Sequence, residues 1–163
     1  MNDDPLYEKA RQSALRYLSY RGRSIQEVRT KLSGKGFSDT VINKVVDSCV
    51  DLGYLDDKNF ARQWAKSLAV GRLWGDKKIE IGLVEKGISH DLIKDAIVAA
   101  REEKDERSAI GELVEKRLRR ESACEVFSYK GQRRLVQNLT GRGFPAGLIL
   151  DVMKEMENDS RTP

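Results

Sequence analysis

The side chains best suited to chemistry in this sequence are cationic and aromatic, and they recur in three short segments. Each segment combines an aromatic residue, a glycine and nearby bases: Tyr20-Arg21-Gly22-Arg23, Trp74-Gly75-Asp76-Lys77 and Tyr129-Lys130-Gly131-Gln132-Arg133. Arginine and aromatic side chains are enriched at interface hot spots, and aromatic rings also stack on nucleic-acid bases. These segments, which we predict to be turns, therefore indicate contacts with a macromolecule. The alternative is that the rings cap local cores; Trp74 is expected to be exposed, and for the two tyrosines both interpretations stay open.

Residues that could catalyse a reaction or hold a metal are scarce. The two cysteines, Cys49 and Cys124, and the single histidine, His90, lack metal-ligand and redox spacings. A structural zinc site needs four converging ligands, and the sequence offers no such set. Neither a phosphate loop, a catalytic triad nor a recurring carboxylate pair is present. The expectation is a protein without catalytic residues, cofactor or metal, in which Cys49 is a small core residue and the role of Cys124 stays open.

Charge is distributed unevenly along the chain, although the net charge is only +4. Residues 11–35 carry seven Lys or Arg against one acid, residues 58–78 six against one, and residues 116–142 eight against two. By contrast, residues 39–57 carry five acids against one base, and residues 91–106 six against three. Stacked in register, such segments would form a basic stripe and an acidic stripe. Alternatively, the opposite charges only solvate the surface and pair with one another.

The predicted contact residues are the bases and turn aromatics of the basic segments. They are Tyr20, Arg21, Arg23, Arg29, Lys31, Lys35, Arg72, Trp74, Lys77, Lys78, Lys86, Lys130, Arg133, Arg134 and Arg142.

One short pattern that must help to position these residues occurs three times. Its copies are Leu32-x-x-Lys35-Gly36-Phe37, Leu83-x-x-Lys86-Gly87-Ile88 and Leu139-x-x-Arg142-Gly143-Phe144. The glycines lie 51 and 56 residues apart, so the chain consists of three copies of one unit of about fifty residues. We place the repeats at residues 1–53, 54–104 and 105–163.

The apolar spacing is helical throughout, and no segment has the alternation of a strand. Three helices per repeat, nine in all, predict an all-α fold of three tandem three-helix repeats in an elongated, curved array. Arrays of this kind offer extended binding surfaces. The helices before the glycines are anchored by apolar pairs, namely Val28/Leu32, Ile79/Leu83 and Leu135/Leu139.

The glycine of the pattern suits the residue that ends a helix in the left-handed conformation. In that motif the apolar residue after the glycine contacts the leucine that lies four residues before the glycine, and all three copies provide this pair. Ser38 and Ser89 suit the N-cap of the following helices, and Pro145 suits a first helical position. Ser24 with Glu27 has the spacing of a capping box.

A helix-turn-helix regulator that binds DNA is the alternative function, because two helices flank a short glycine turn in each repeat. Its presumed recognition helices would begin at Ser38-Asp39-Thr40 and Ser89-His90-Asp91. Acidic residues there would face DNA phosphates, which disfavours this interpretation.

The start of the chain, Met1-Asn2-Asp3-Asp4-Pro5, is acidic and polar, unlike a signal peptide. No apolar run approaches the roughly 18 residues of a membrane span. The expected location is the cytoplasm, without membrane contact.

A longer pattern begins with Leu52-Gly53-Tyr54-Leu55-Asp56-Asp57-Lys58-Asn59-Phe60-Ala61-Arg62-Gln63-Trp64 and continues with Gly75, Ile79, Leu83 and Lys86-Gly87-Ile88. This pattern resembles the RecX family of bacterial RecA modulators. The Ser24-x-x-Glu27-Val28 motif and the triple repeat match as well. The resemblance implies a cytoplasmic, non-enzymatic protein whose partners are RecA and the RecA filament on single-stranded DNA. It implies inhibition or modulation of RecA ATPase and strand exchange, with weak direct binding to single- or double-stranded DNA in some members. Separately, we expect the protein to be a monomer.

Overall fold

The structure, a computed structural model, describes residues 4–161 and contains only helices and connecting turns in that range. Ten α-helices follow one another: α1 (Pro5–Leu18), α2 (Ile25–Ser33), α3 (Asp39–Asp51), α4 (Asp57–Lys66), α5 (Asp76–Glu85), α6 (His90–Glu103), α7 (Glu106–Leu118), α8 (Ala123–Val126), α9 (Tyr129–Gly141) and α10 (Ala146–Arg161). A π-helical turn, Ser67–Gly71, continues α4. The predicted all-α fold is confirmed.

The helix count and one predicted turn need correction. The four-residue helix α8 adds a tenth α-helix to the nine expected. Tyr129, Lys130 and Gly131 do not form a turn, because they are the first residues of α9 and Ser128 caps that helix. Serine at the N-cap satisfies backbone donors that would otherwise be unpaired, so a glycine two positions into the helix does not break it.

The recurring glycines end their helices as the sequence predicts. Gly36, Gly87 and Gly143 have φ angles of 84°, 72° and 92°. After each glycine, the next amide donates to the carbonyl of the leucine five residues before it, at 3.3, 3.1 and 3.3 Å. This bond defines the Schellman motif and pairs carbonyls that the helix end leaves free. A fourth Schellman motif, which we did not predict, ends α3 at Gly53, whose φ angle is 74°.

The predicted helix starts are also present. Ser38 caps α3 by accepting from the Val41 amide, and Ser24 forms a capping box with Glu27. Helix α6 begins at His90, directly after Ser89. Helix α10 begins at Ala146, so Pro145 precedes the helix instead of taking the first helical position that we predicted.

The contacts between residues divide the chain into two compact units, and each unit includes a part of the middle repeat. The first unit holds the described residues up to Ala61 together with Leu83–Ile93, and the second holds Arg62–Gly82 and the described residues from Lys94 onward. The repeat boundaries at residues 53 and 104 stay a prediction. Within the described residues, no helix is long and apolar enough to cross a membrane.

Each unit has its own core. In the first, α1 contributes Ala10 and Ala14, whose small side chains let α2 and α3 approach closely, and Cys49 is buried among valines of α3. In the second, Ile110 and Val114 of α7 pack with apolar residues of α9 and α10. Burial of such side chains is the main contribution to folding. The predicted anchors of the second helices are all buried.

Candidate functional site

In the first compact unit, the predicted contact residues gather around one carboxylate. Glu27 Oε1 lies 2.7 Å from Arg21 Nη2, 3.4 Å from Lys86 Nζ and 3.7 Å from Arg23 Nη1. Its Oε2 accepts a 3.0 Å bond from the Ser24 amide. We call these five residues the Glu27 cluster. Glu27 is the third residue of α2, so the capping box fixes its carboxylate at the helix N-terminus, where the helix dipole favours a negative charge.

The electrostatics of this cluster show that Glu27 is ionised and its cations are engaged. Burial alone would raise the pKa of Glu27, but the hydrogen bond from Arg21, the Ser24 amide and the nearby Lys86 bring it below its ordinary value of 4.5. Asp57 lies close by and accepts a 2.9 Å bond from the Ile25 amide. Burial raises the pKa of Asp57 above its ordinary value of 3.8. The two carboxylates at the start of α2 are thus shifted in opposite directions.

The other predicted residues of this unit have separate environments. Arg29 donates a 2.6 Å bond to Asn43 Oδ1, and the Lys31 ammonium lies 5.5 Å from the centroid of the Tyr17 ring. Tyr20 is 71% exposed. An open cavity of about 430 Å³ brings three predicted cations together, but two acids also line it; the charged residues around it are Glu27, Lys31, Lys35, Glu85 and Lys86.

The second compact unit contains a groove of a different kind. It has a volume of about 640 Å³, and half of its twelve lining residues are cationic: Arg72, Lys116, Arg117, Arg120, Arg134 and Arg142. No acid is among the described residues that line it. Leucines contributed by α7, α9 and the segment after the π-helical turn form its apolar part. We call this feature the basic groove.

Three elements position the cations of the basic groove. Lys116 and Arg117 occupy the last turn of α7, where the helix dipole favours positive charge, and Arg120 follows that turn. Arg134 and Arg142 come from α9 and its end. Arg142 Nη1 donates a 3.0 Å bond to the Arg72 carbonyl, which joins the far side of the groove to α9.

The cations of the groove differ in how far they are neutralised. Arg117 pairs with Glu121 at 2.7 Å, and Lys116 pairs with Glu112 at 2.8 Å. Hydrogen bonds from Lys104 and Lys116 lower the pKa of Glu112 to about 2. Arg120 and Arg134 are exposed and form no ion pair with any residue between 4 and 161. The groove therefore has two cations available to an anionic ligand and others held in place beside them.

Trp74 is half-buried, so the expectation that it is exposed was wrong. Its carbonyl accepts a 2.7 Å bond from Arg101 Nη2, and Arg101 also bonds Asp76 at 2.6 Å. The Lys78 ammonium lies 4.3 Å from the centroid of its ring, and the Arg72 guanidinium lies at 5.9 Å. Such cation–π contacts hold the ring against the start of α5.

The remaining predicted residues lie on exposed surface outside the groove lining. Lys77 is exposed at the start of α5, and Lys130 and Arg133 are exposed in the first turns of α9, beside the exposed Tyr129. Our selection missed Lys116, Arg117 and Arg120, although the basic segment 116–142 contained them. Their helical spacing at the end of α7 was the signal that could have identified them.

Candidate metal ligands do not converge: between residues 4 and 161, no three His, Cys, Asp or Glu side chains are placed to hold a metal ion. Cys49 is buried, which raises its pKa, and Cys124 is exposed on α8; both are free thiols.

Comparison with known proteins gives a consistent result. Models of the first and second three-helix domains of RecX match residues 10–49 and 56–97. The regulatory protein RecX of Mycolicibacterium smegmatis is 32% identical over 93% of this chain and 82% of its own length, and that of Clostridium botulinum (strain Eklund 17B) is 30% identical over 92% and 69%. The crystal structure of RecX from Lactobacillus salivarius has a TM-score of 0.79 and 27% identity, covering 93% of this chain and 97% of that one. A second RecX crystal structure, at 22% identity and a TM-score of 0.74, shares the fold. The chain therefore belongs to the RecX family of regulatory proteins.

Proposed function

We propose that this protein binds RecA and RecA filaments on single-stranded DNA and inhibits their ATPase and strand-exchange activities. Family membership supports the regulatory role, and the RecX resemblance names RecA as the partner. The protein acts in the cytoplasm as a monomer and catalyses no reaction itself. The observation that carries the proposal is the basic groove, whose cationic lining could bind an anionic polymer.

The groove suits a phosphate backbone better than a compact anion. Its cations are spread over α7, α9 and Arg72, and about 640 Å³ of open space separates them. Lysine and arginine that neutralise phosphates release counterions, which supplies most of the affinity of sequence-independent binding. The leucines between the cations offer an apolar surface to exposed bases or to a protein side chain. Filament DNA would be attracted by the positive groove and held there by several weak contacts.

The fifteen residues predicted from the sequence stay candidates for this interface, and the structure suggests an order among them. Arg72, Arg134 and Arg142 line the basic groove, so we place them first, together with the newly identified Arg120. Exposed Tyr20 comes next, together with Tyr129, which is not one of the fifteen, since aromatic side chains contribute strongly at interface centres. Contacts by separate repeats with successive RecA subunits would add through effective concentration.

The helix-turn-helix alternative finds less support. Asp39 and Asp91 are exposed in the first turns of α3 and α6, the helices that would enter the major groove. A carboxylate at that position would face phosphate oxygens and be repelled. We therefore propose that any direct DNA binding is weak and independent of sequence.

The test is RecA ATPase activity on single-stranded DNA with the purified protein titrated in. Inhibition that saturates with the protein concentration is expected, together with no ATP hydrolysis by the protein alone. Binding to bare single- and double-stranded oligonucleotides is measured in parallel over a salt series. Tight, sequence-specific duplex binding without any effect on RecA would instead favour the helix-turn-helix regulator.

A further inference from the structure

In the first compact unit, the N-terminus of α2 contacts the C-terminal end of α5. Ser24 Oγ, at the N-terminus of α2, donates a 2.7 Å bond to the Lys86 carbonyl at the end of α5. A Cβ added to Gly87 would lie 2.5 Å from Gln26 Cβ, so this glycine also permits the close approach of α2. The Lys86 ammonium lies 3.4 Å from Glu27. The Lys-Gly end of one second helix therefore binds the N-terminus of another.

The same contact recurs inside the second compact unit. The Gly75 amide, just before α5, donates a 2.8 Å bond to the Arg142 carbonyl at the end of α9. A Cβ added to Gly143 would lie 2.5 Å from the Lys78 amide nitrogen. With the repeat offsets of 51 and 56 residues, Gly75 corresponds to Ser24 and Arg142 corresponds to Lys86. Two independent places in the fold thus use one docking geometry.

At the third Lys/Arg-Gly helix end, no helix N-terminus among the described residues donates a hydrogen bond. Lys35 and Gly36, at the end of α2, correspond to Lys86-Gly87 and Arg142-Gly143. A Cβ added to Gly36 would meet nothing within 4 Å, and both residues are exposed. Phe37 is half-buried, whereas the corresponding Ile88 and Phe144 are buried. Among residues 4–161, no hydrogen bond reaches the Lys35 carbonyl.

No second-helix N-terminus of this chain is available to fill it. The N-termini of α2 and α5 are engaged by Lys86 and Arg142. In the last repeat, α8 covers the start of α9: a Cβ on Gly131 would collide with the carbonyl groups of Glu125 and Val126. Helix α8, which we did not predict, therefore blocks the N-terminus of α9, so this end cannot dock on the α2 end of a second copy. Head-to-tail association of two copies is disfavoured.

We propose that the exposed Lys35-Gly36 end of α2 docks the N-terminus of a helix in the protein partner. This rests on the proposed function, in which that partner is RecA. The partner helix would begin with a serine or glycine that donates to the Lys35 carbonyl, as Ser24 and Gly75 do. A glutamate in its first turn would pair with the Lys35 ammonium, as Glu27 does with Lys86. The opposed dipole ends of the two helices favour this arrangement.

Gly36→Asn tests the proposal with little expected change to the fold. Asparagine tolerates the left-handed conformation, and its side chain projects into open space where the partner helix would lie. Gly53→Asn is the matched control, because Gly53 has the same conformation, also with nothing within 4 Å, at the end of α3. Lys35→Glu is the second test variant, with Lys44→Glu on the exposed face of α3 as its control. Circular dichroism melting checks that all four variants fold.

Binding of labelled full-length protein to RecA filaments on single-stranded DNA is the measurement. Gly36→Asn and Lys35→Glu should each weaken binding at least about fivefold, the scale of one or two lost interface hydrogen bonds. The two controls should bind like the unaltered chain. Unaltered binding by both test variants would overturn the docking site while leaving the proposed function intact. Failure of the unaltered chain to bind RecA would overturn both, and concentration-dependent self-association that Gly36→Asn abolishes would assign the site to a second copy instead.

Discussion

The Glu27 cluster and the basic groove both bring cations together, three in the cluster and six in the groove, but use them in different ways. In the Glu27 cluster, three cations surround one part-buried carboxylate that is itself fixed by a helix cap. In the basic groove, six cations line one cavity, and Arg120 and Arg134 have no acidic partner among residues 4–161. Similar sequence density of bases therefore produces a structural ion network in one place and an available anion surface in the other.

The physical difference lies in where each acid falls on its helix. Glu27 occupies the third position of α2, so its carboxylate accepts a hydrogen bond from the Ser24 amide at the N-terminus of that helix. The same carboxylate forms ion pairs with Arg21, Arg23 and Lys86. At the end of α7, Glu121 follows Arg117 by one helical turn and binds it alone. Glu112 and Glu121 each hold one cation of the groove, Lys116 and Arg117, and no ion pair between residues 4 and 161 involves Arg120 or Arg134. The comparison predicts that charge reversal damages folding in the first region and binding in the second.

The largest expected effect is on DNA binding by the groove variant Arg120→Glu with Arg134→Glu. Two lost phosphate contacts and two new repulsions should weaken binding to a single-stranded oligonucleotide by about tenfold or more, and should lower the salt dependence of log K. Fluorescence anisotropy over a salt series measures both quantities. Lys94→Glu with Lys154→Glu changes the net charge equally at exposed positions outside the groove. Equal weakening by that control would mean that only net charge matters.

The next effect is on stability, for Arg21→Glu with Arg23→Glu. Each reversal places a carboxylate beside Glu27 and removes a charged hydrogen-bond donor, so the free energy of unfolding should fall by about 1–3 kcal/mol. Urea denaturation measures it, and Lys9→Glu with Lys44→Glu, both exposed in the same unit, is the control. A stable double variant that nevertheless fails to inhibit RecA would show that these arginines contact the partner.

A smaller effect concerns pH. The pKa of Glu27 is below its ordinary value of 4.5, so its stabilising contribution is complete above that value and is lost as pH falls through the lower folded pKa. Glu27→Gln should therefore reduce the loss of stability between about pH 5 and about pH 3. Asp57, with a raised pKa, contributes with the opposite sign, so Asp57→Asn should make that loss steeper. Identical pH profiles of stability for all three proteins would contradict the ion-network interpretation.

The smallest effect sharpens the account of the groove. Glu112 holds Lys116 at 2.8 Å, and its low pKa keeps it ionised at neutral pH. Glu112→Gln should release Lys116 toward the groove and tighten oligonucleotide binding by about twofold at low salt, the scale of one exposed ion pair. The measurement is the same anisotropy titration. Weaker binding by this variant would indicate that Glu112 positions Lys116 for the ligand.

Much of the fold could be predicted because the signals were local. The Leu-x-x-Lys/Arg-Gly pattern specifies a helix end through the left-handed conformation of its glycine, and Ser24 with Glu27 specifies a helix start. Helix α8 escaped prediction because four residues carry no helical period. Tyr129 was placed in a turn because the aromatic–glycine–base pattern was transferred from the first two repeats, whereas Ser128 caps α9 one residue earlier.

The candidate site was predictable only as a set of charged segments. Net charge by segment identified residues 116–142, but not which of these side chains face one groove, since that depends on how α7 packs beside α9. Partners of individual cations were equally inaccessible, because Glu27 meets Lys86 across 59 residues of sequence. Long-range packing decides which cation is structural and which is available.

The most direct test of the central claim is inhibition of the RecA ATPase on single-stranded DNA by three forms of the protein. The unaltered chain and the Lys94→Glu, Lys154→Glu control should inhibit at similar concentrations. The Arg120→Glu, Arg134→Glu variant should need about tenfold more protein, the consequence of losing groove contacts worth about 1.4 kcal/mol. Inhibition by the groove variant at the same concentration as the unaltered chain would contradict the claim that the basic groove is the working surface.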